Sequence, residues 1–304
     1  MEFNQTRDQR GSNLSVSTRL SEVFNQSREI TFDDKSRFII FSDCHRGDNS
    51  WSDEFANNQN IYFHALNYYY DRGYTYIEAG DGEEMWENRY FEDIRSAHDN
   101  IYWRLGEFHK DNRLILIWGN HNREWSRDKS VKEHLYTYYD EREKVEKDLL
   151  KGVVVHEGFI LHYHDSHIRI FITHGHQGDL LNDSLWWLGR FFVRTFWKPF
   201  QTLGFRDPTR PAKNFKKRVK LEAEIIQWAS NNRQPIIVGH THRPRFRDSH
   251  YYFNAGSCVH PRCITGIEIV NGSISLVKWF VDVRKQDAGT LFINKTVLAG
   301  PEKL

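Results

Sequence analysis

The sequence predicts an α/β protein whose strands end in metal-type ligands. Three observations carry this. Short apolar runs alternate with helix-period stretches through the first half. The second half is rich in strand-like runs divided by turn residues. Five apolar runs close on Asp, Asn or His, the last four beside glycine: Phe38 to Phe41 into Asp43-Cys44-His45, Tyr74 to Ala79 into Gly80-Asp81, Leu114 to Trp118 into Gly119-Asn120-His121, Ile168 to Thr173 into His174-Gly175-His176, and Pro235 to Val238 into Gly239-His240-Thr241-His242.

Taken in order, residues 1–35 are polar and read as a loose arm or peripheral helix. The first strand follows. In extended chain, residues two apart point the same way, so Asp43 and His45 are expected to reach one point beyond it. Cys44 between them is expected to face the core. Residues 53–72 read as a helix, and the second strand leads to Asp81. Residues 88–111 read as another helix, with Tyr90, Ile94, Ile101, Leu105 and Phe108 at steps compatible with one face. The third strand leads to Asn120, and a charged helix over 127–150 closes a β-α-β-α half. Strand pairs at Val153 to His156, Phe159 to Tyr163 and Ile168 to Thr173 come next, with Glu157-Gly158 and Asp165-Ser166 as turns. A basic-then-apolar helix covers 211–231, starting at Pro211. After the strand into His240, antiparallel strands are expected over Tyr251 to Asn254, Cys263 to Val270 and Ser273 to Val283. Asn271-Gly272 is the two-residue hairpin turn between the last two. The domain organisation read from this is an arm (1–35), one domain (36–285) with an insertion at about 180–222, and a tail (286–304).

Composition sets limits. The chain has 304 residues, enough for a full core. Its 42 basic and 41 acidic residues nearly cancel, so no global field favours a nucleic acid, and anion binding has to be local. Three cysteines do not suggest a disulfide framework, and a reducing compartment fits. The first residues lack an apolar signal core, and no run is long and apolar enough to span a bilayer, so the expected location is cytoplasmic.

The ordered set Asp-x-His, Gly-Asp, Gly-Asn-His, His-Gly, Gly-His-x-His closely resembles the calcineurin-like metallophosphoesterase superfamily, over residues 37–260. The resemblance implies two mixed β-sheets packed as a sandwich flanked by helices, and two divalent ions. One ion would take Asp43, His45, Asp81 and His242. The other would take Asp81, Asn120, His174 and His240. His121, beside Asn120, would serve the leaving group as general acid or phosphate donor. Independently of the resemblance, two ions ~3.5–4 Å apart can clamp a phosphate and activate water, and one carboxylate must bridge them. Oxygen and nitrogen donors favour manganese, with iron, zinc or cobalt as alternatives. The family commonly has an acid after Gly-Asn-His that orients the histidine; here Asn122 stands there. Arg46, Arg123 and Arg243 each follow a candidate ligand closely and are candidates for holding a second anionic group of the substrate.

Residues 184–198 combine Trp186, Trp187, Phe191, Phe192, Phe196 and Trp197 with Arg190, Arg194 and Lys198 at four-residue steps. On a helix the basic residues form one stripe. A basic, aromatic-rich amphipathic helix fits a membrane interface; a core helix or dimer seam with one wet stripe is the competing reading. Gly239-His240-Thr241-His242-Arg243-Pro244 resembles the UDP-2,3-diacylglucosamine hydrolase branch, which carries a helical insertion at this place over acyl chains. That branch usually has arginine where this chain has His121. The expected activity is hydrolysis of a phosphoester or pyrophosphate bond, with a lipid-linked phosphate or nucleotide-diphospho-lipid favoured, at the cytoplasmic face of an anionic membrane. A soluble nucleotide or phosphoprotein phosphatase, or a non-catalytic membrane or protein adaptor, are the alternatives.

Overall fold

In the computed structural model the described residues are 15–164, 166–179, 215–284 and 289–304. The stretch bearing Trp186, Trp187, Arg190, Phe191, Arg194, Trp197 and Lys198 lies outside them.

The chain opens with helix α1 (Val16–Gln26), capped by the Ser15 side chain, and strand β1 (Arg28–Phe32). Then come β2 (Arg37–Phe41), α2 (Gln59–Asp71), β3 (Thr75–Ala79), α3 (Phe91–Ala97), α4 (Asp99–Lys110), β4 (Leu114–Ile117) and α5 (Asp128–Leu135). The hairpin β5 (Thr137–Asp140) and β6 (Val145–Asp148) precedes β7 (Val155–His156), β8 (Gly158–Tyr163) and β9 (Arg169–Thr173). Beyond the undescribed stretch follow α6 (Phe215–Asn232), β10 (Ile236–Val238), β11 (Arg245–Asp248), β12 (Tyr252–Asn254), β13 (Cys263–Val270), β14 (Ser273–Arg284) and β15 (Thr290–Lys303).

Two sheets form. One has the order β15-β14-β13-β2-β3-β4-β7, with β2, β3, β4 and β7 parallel and the rest antiparallel. The other has the order β1-β8-β9-β10-β12-β11, also mixed. Alternation along β2 shows why they stack. Phe38 and Ile40 face inward to a core shared with Ile77, Ile117, Leu161, Ile172 and Ile237 from both sheets. Ile39 and Phe41 face outward, to Tyr62, Leu66 and Tyr69 of α2 and Leu105 of α4. On the far side, Ile160, Phe171 and Val238 pack on Leu20 and Val23 of α1 and on Ile225 and Trp228 of α6. The result is the expected helix–sheet–sheet–helix sandwich. It places the carboxyl ends of β2, β3, β4, β9 and β10 side by side.

Several expected elements differ. Residues 127–150 are not one helix. After α5 the aromatic and β-branched residues Thr137, Tyr138, Tyr139 and Val145 pair as a hairpin. Asp140 makes the turn: its carboxylate accepts the N–H of Arg142 and of Glu143 at 3.0 Å each. The helix over 88–111 is split at His98, whose Nε2 lies 3.0 Å from Asp53 Oδ2 in the interior. Val153 to His156 and Phe159 to Tyr163 do not form a pair: β7 joins β4 and β8 joins β1 and β9, so the chain crosses between sheets at Glu157. Tyr252 to Asn254 runs parallel to β10. The arm and tail are also more structured than expected. Residues 16–32 supply a core helix and an edge strand, and the C-terminal stretch is a strand on β14. Val16, Leu20 and Val23 recur at helical steps within the otherwise polar start, a short pattern that α6 and the sheet turn into a packed face. The Asn271-Gly272 turn is as expected, with φ of 51° and 61° and Val270 opposite Ser273.

Candidate metal centre

Two sheets converge on this site. From the seven-stranded sheet, the β2 loop supplies Asp43 and His45, the β3 loop Asp81 and the β4 loop Asn120 and His121. These loops are laced together: Asp43 N–H donates to Gly80 O (3.1 Å), His45 N–H to Asp81 O (2.9 Å) and Arg46 N–H to Gly82 O (2.9 Å). From the six-stranded sheet, β9 supplies His174 and β10 supplies His240 and His242. The two sets meet directly, since His240 N–H donates to Asp43 Oδ2 at 2.8 Å.

The extended-chain expectation for Asp43 and His45 does not hold locally. Both adopt left-handed backbone, at φ 53° and 48°, and so do Asp81, His240 and His242. Such conformations cost free energy for residues other than glycine, and they cluster where a structure imposes them for function. Cys44 does face the interior, away from the ligands. Gly119 and Gly239 are needed for close approach: a side chain at Gly119 would strike the Asp81 carboxylate, and one at Gly239 would strike Ser42 and Asp43.

The groups Asp43, His45 and His242, then His45, Asp81 and His121, then Asp81, His174 and His240 each bring their ligand atoms within 4.8 Å of one another. Asp81 sits between two of the groups. Its Oδ2 lies 3.0 Å from His174 Nε2 and 3.8 Å from His45 Nε2, while Oδ1 accepts the His121 N–H at 2.8 Å. His242 Nε2 is 3.1 Å from Asp43 Oδ1 and 3.2 Å from His45 Nε2. Around this centre Asn120 Oδ1 and Nδ2 and His240 Nε2 are buried without a hydrogen-bond partner, while Asp43 Oδ1 and His174 Nε2 meet only the close contacts to His242 and Asp81 just given. A buried polar atom left unpaired costs about 1–3 kcal/mol. Three such atoms in one place, on Asn120 and His240, fit a site that a cation completes. The residues therefore fit a metal centre of nitrogen and oxygen donors, with Asp81 common to two of the three groups.

Electrostatics agree. Burial alone would raise the Asp43 carboxyl, but the neighbouring His242 and His174 outweigh it and hold it well below the usual range. Asp81 is held down in the same way, against burial, by His174 and His121. His45 is raised well above the ordinary histidine value: burial would lower it, but Asp43 and Glu84 prevail. His174 is raised by Asp81 and Asp43 against its burial. Burial, followed by the adjacent His174, pushes His240 down to about 3, so it is neutral near pH 7.

The candidate substrate arginines divide. Arg46 is corrected: its guanidinium is fully buried, bound to Glu78 at 2.6 and 2.8 Å and to Glu83 at 2.7 Å, so it cannot contact a substrate. Two buried acids took it because an uncompensated charge inside is costly. Arg123 lies over the Trp118 ring at 5.5 Å, and Arg243 is half-buried with Nη1 3.8 Å from Glu222. His176, fully buried, stands 5.5 Å ring to ring from His174. His162 is instead a sheet-surface histidine paired with Glu29.

Sequence reasoning gave no role to Glu83, Glu84 and Trp86. Glu84 reaches His121 Nδ1 with Oε1 (2.7 Å) and His45 Nδ1 with Oε2 (2.8 Å). Trp86 stacks on His121 with centroids 4.2 Å apart, and its Nε1 donates to Asn120 O at 2.7 Å. Glu83 accepts from Asn122 Nδ2 (2.9 Å) and Trp125 Nε1 (2.8 Å). Hence the amide at position 122: an aspartate there would set two carboxylates against each other. The adjacent acids after Gly80-Asp81-Gly82 were the available signal.

No family model and no curated protein matches the chain. Among solved structures, it is similar to the cold-active protein-tyrosine phosphatase of a psychrophile Shewanella species, at 13% identity and TM-score 0.41 over 90% of this chain and 83% of that one. It is also similar to Chaetomium thermophilum Vps29, at 9% identity and TM-score 0.36 over 87% of this chain and 99% of that one. Both likenesses are distant, and neither carries weight for the chemistry of this site.

Proposed function

We propose that the chain is a binuclear-metal-dependent hydrolase of phosphoester or pyrophosphate bonds. The observation that carries the reading is the convergence of Asp, Asn and His side chains from five strand ends around Asp81, with Asn120 and His240 buried and unpaired among them. Asp43, His45, Asp81 and His242 would hold one divalent ion, and Asp81, Asn120, His174 and His240 the other. When bound, such a pair supplies Lewis acidity toward a phosphoryl group and activates water. The chain's own part is to fix the ligands and to place a proton. With Nδ1 of His121 engaged by Glu84, its Nε2 is the nitrogen left for the leaving group, and its side chain is 14% exposed. Asp81 holds that histidine's backbone in register by accepting its N–H at 2.8 Å. Arg123 and Arg243 are the remaining candidates for a second anionic group.

The favoured substrate is a lipid-linked phosphate or nucleotide-diphospho-lipid, reached from the cytoplasmic face of an anionic membrane, with manganese as the metal. Support comes from the aromatic and basic sequence of residues 184–198, which follows the His174 site in the chain. Among the described residues no helix is long and apolar enough to cross a membrane.

Dialysis against Mn²⁺ followed by elemental analysis is expected to give two metals per chain, together with hydrolysis of an aryl phosphate ester. Fewer than two metals and no hydrolysis would overturn the enzyme and leave the adaptor. Flotation with anionic vesicles at low salt tests the lipid reading. Three basic residues at about 1 kcal/mol each give on the order of 100-fold in affinity, which changing Arg190, Arg194 and Lys198 to Glu should remove while hydrolysis of the soluble ester persists. Wild-type chain that is active but does not float is a soluble phosphatase.

A further inference from the structure

Glu84 touches two histidines of different function, one through each carboxylate oxygen. Oε2 lies 2.8 Å from Nδ1 of His45, whose Nε2 is turned to Asp43, Asp81 and His242. Oε1 lies 2.7 Å from Nδ1 of His121. The two rings stand edge to face, 4.6 Å between centroids. A carboxylate only accepts, so each facing Nδ1 must carry a hydrogen, and each Nε2 is left to act at the site. Glu84 itself is held firmly. It is buried, its backbone N–H donates to Arg46 O at 2.9 Å, and the next residue's N–H donates to His121 O at 3.1 Å.

Resting on the phosphoesterase reading above, we propose that Glu84 is a shared positioning residue, which sets the tautomer of a metal ligand and of the proton donor with one side chain. Position 122, directly after His121, cannot take this part. Its amide is engaged with Gly119 N–H at 2.6 Å and Glu83 at 2.9 Å. The orienting acid has come from the β3 loop instead, and in that place it also reaches the metal ligand. Filling the metal site and arming His121 are thereby tied to one group. Trp86 stacks on the His121 ring with 4.2 Å between centroids, a second contact that fixes the plane of the imidazole.

The test uses the full chain loaded with Zn²⁺, which is diamagnetic, and nitrogen NMR of the imidazole rings. In wild type both His45 and His121 should carry hydrogen on Nδ1. Glu84→Gln offers one acceptor and one donor, so one ring must reverse and carry its hydrogen on Nε2. Affinity for one of the two zinc ions should fall by roughly 10–100-fold, as for other groups that orient ligands. Turnover of the aryl ester should fall by about 10²-fold or more, with KM nearly unchanged. Unaltered tautomers with zinc affinity within about twofold of wild type would overturn the proposal. If Glu84→Gln does not fold by circular dichroism, Glu84→Asp decides. One methylene shorter, it can serve only one ring, and two unaltered rings would again overturn it. Wild-type chain that binds no zinc would overturn the phosphoesterase reading alone, because metal-free spectra at alkaline pH still report the two tautomers.

Discussion

The two sheets hold their ligands by different means. On the seven-stranded side, charged side chains brace the loops: Arg46 joins Glu78 to Glu83, Glu83 holds Asn122 and Trp125, and Glu84 holds His45 and His121. On the six-stranded side, backbone and neutral groups do most of it. His174 Nδ1 donates to Ala79 O at 3.0 Å, Gly239 N–H donates to His174 O at 2.9 Å, and Asn254 Nδ2 donates to Gly239 O at 2.8 Å. Among the described residues Glu222, which accepts from Thr241 Oγ1 at 2.7 Å, brings a carboxylate there, and buried Asp179 stands near His240. The difference teaches where the proton-handling half of the site lies. On the proposed function, the side braced by charged groups carries the proton donor His121, and the side braced by backbone carries candidate ligands alone.

The largest expected effect would remove what both sides share. Asp81→Ala should drop hydrolysis to background and lower metal content at both positions, read by elemental analysis. Retention of two metals would mean that the sheets do not meet at Asp81. His121→Ala, confined to the braced side, should keep both metals and lose turnover by roughly 10²–10⁴-fold. Loss of metal in that variant would make His121 a ligand.

The bracing itself can be compared by urea unfolding. Arg46→Met leaves two carboxylates buried without their cation and should cost about 3–5 kcal/mol. Arg245, 3.4 Å from Glu222 and 35% exposed, belongs to the other side. Arg245→Met should cost under about 1 kcal/mol, as screened pairs do. Equal losses would erase the contrast.

The smallest effect is a pH dependence of the metal-free protein. His240, lowered to about 3, remains neutral in the fold while an unfolded histidine takes a proton below about 6.5. Its contribution is present above that value and is lost as pH falls from there toward about 3. The depressed carboxyls Asp43, Asp81 and Glu84 add to this loss in more acid solution. His45 and His174 are raised, so what they contribute is complete below about 6.5 and is lost as pH rises through their folded values. Urea midpoints should therefore decline on both sides of about pH 6.5. His240→Asn should flatten the acid limb, and His45→Asn the alkaline limb. A midpoint that climbs steadily with pH would reject the assignment of the two limbs.

Much of this was legible along the chain. Apolar runs ending in Gly-Asp, Gly-Asn-His and Gly-His-Thr-His mark strand ends because a ligand loop needs a sharp turn directly after buried backbone. The Asn271-Gly272 hairpin was legible because two consecutive left-handed residues suit few other pairs. The hairpin at Thr137 to Asp148 was not, since charged residues at its turn mimic the surface of a helix until Asp140 closes on Arg142 and Glu143. Nor was the fate of Arg46: an arginine after His45 looks the same in sequence whether it meets a substrate or two buried glutamates.

The sequence by itself determined the ligand types, their order on five strand ends and the helix–strand alternation, because these rest on local chemistry and short-range periodicity. Only the tertiary structure decided which acid orients His121, which arginine is interior and which strands pair across the two sheets. Those outcomes depend on residues dozens of positions apart arriving within about 3 Å of one another, the reach of a hydrogen bond. Glu84 and His121 are 37 positions apart and 2.7 Å in contact. No spacing rule along one strand or helix connects them; the packing of the β3 loop against the β4 loop does.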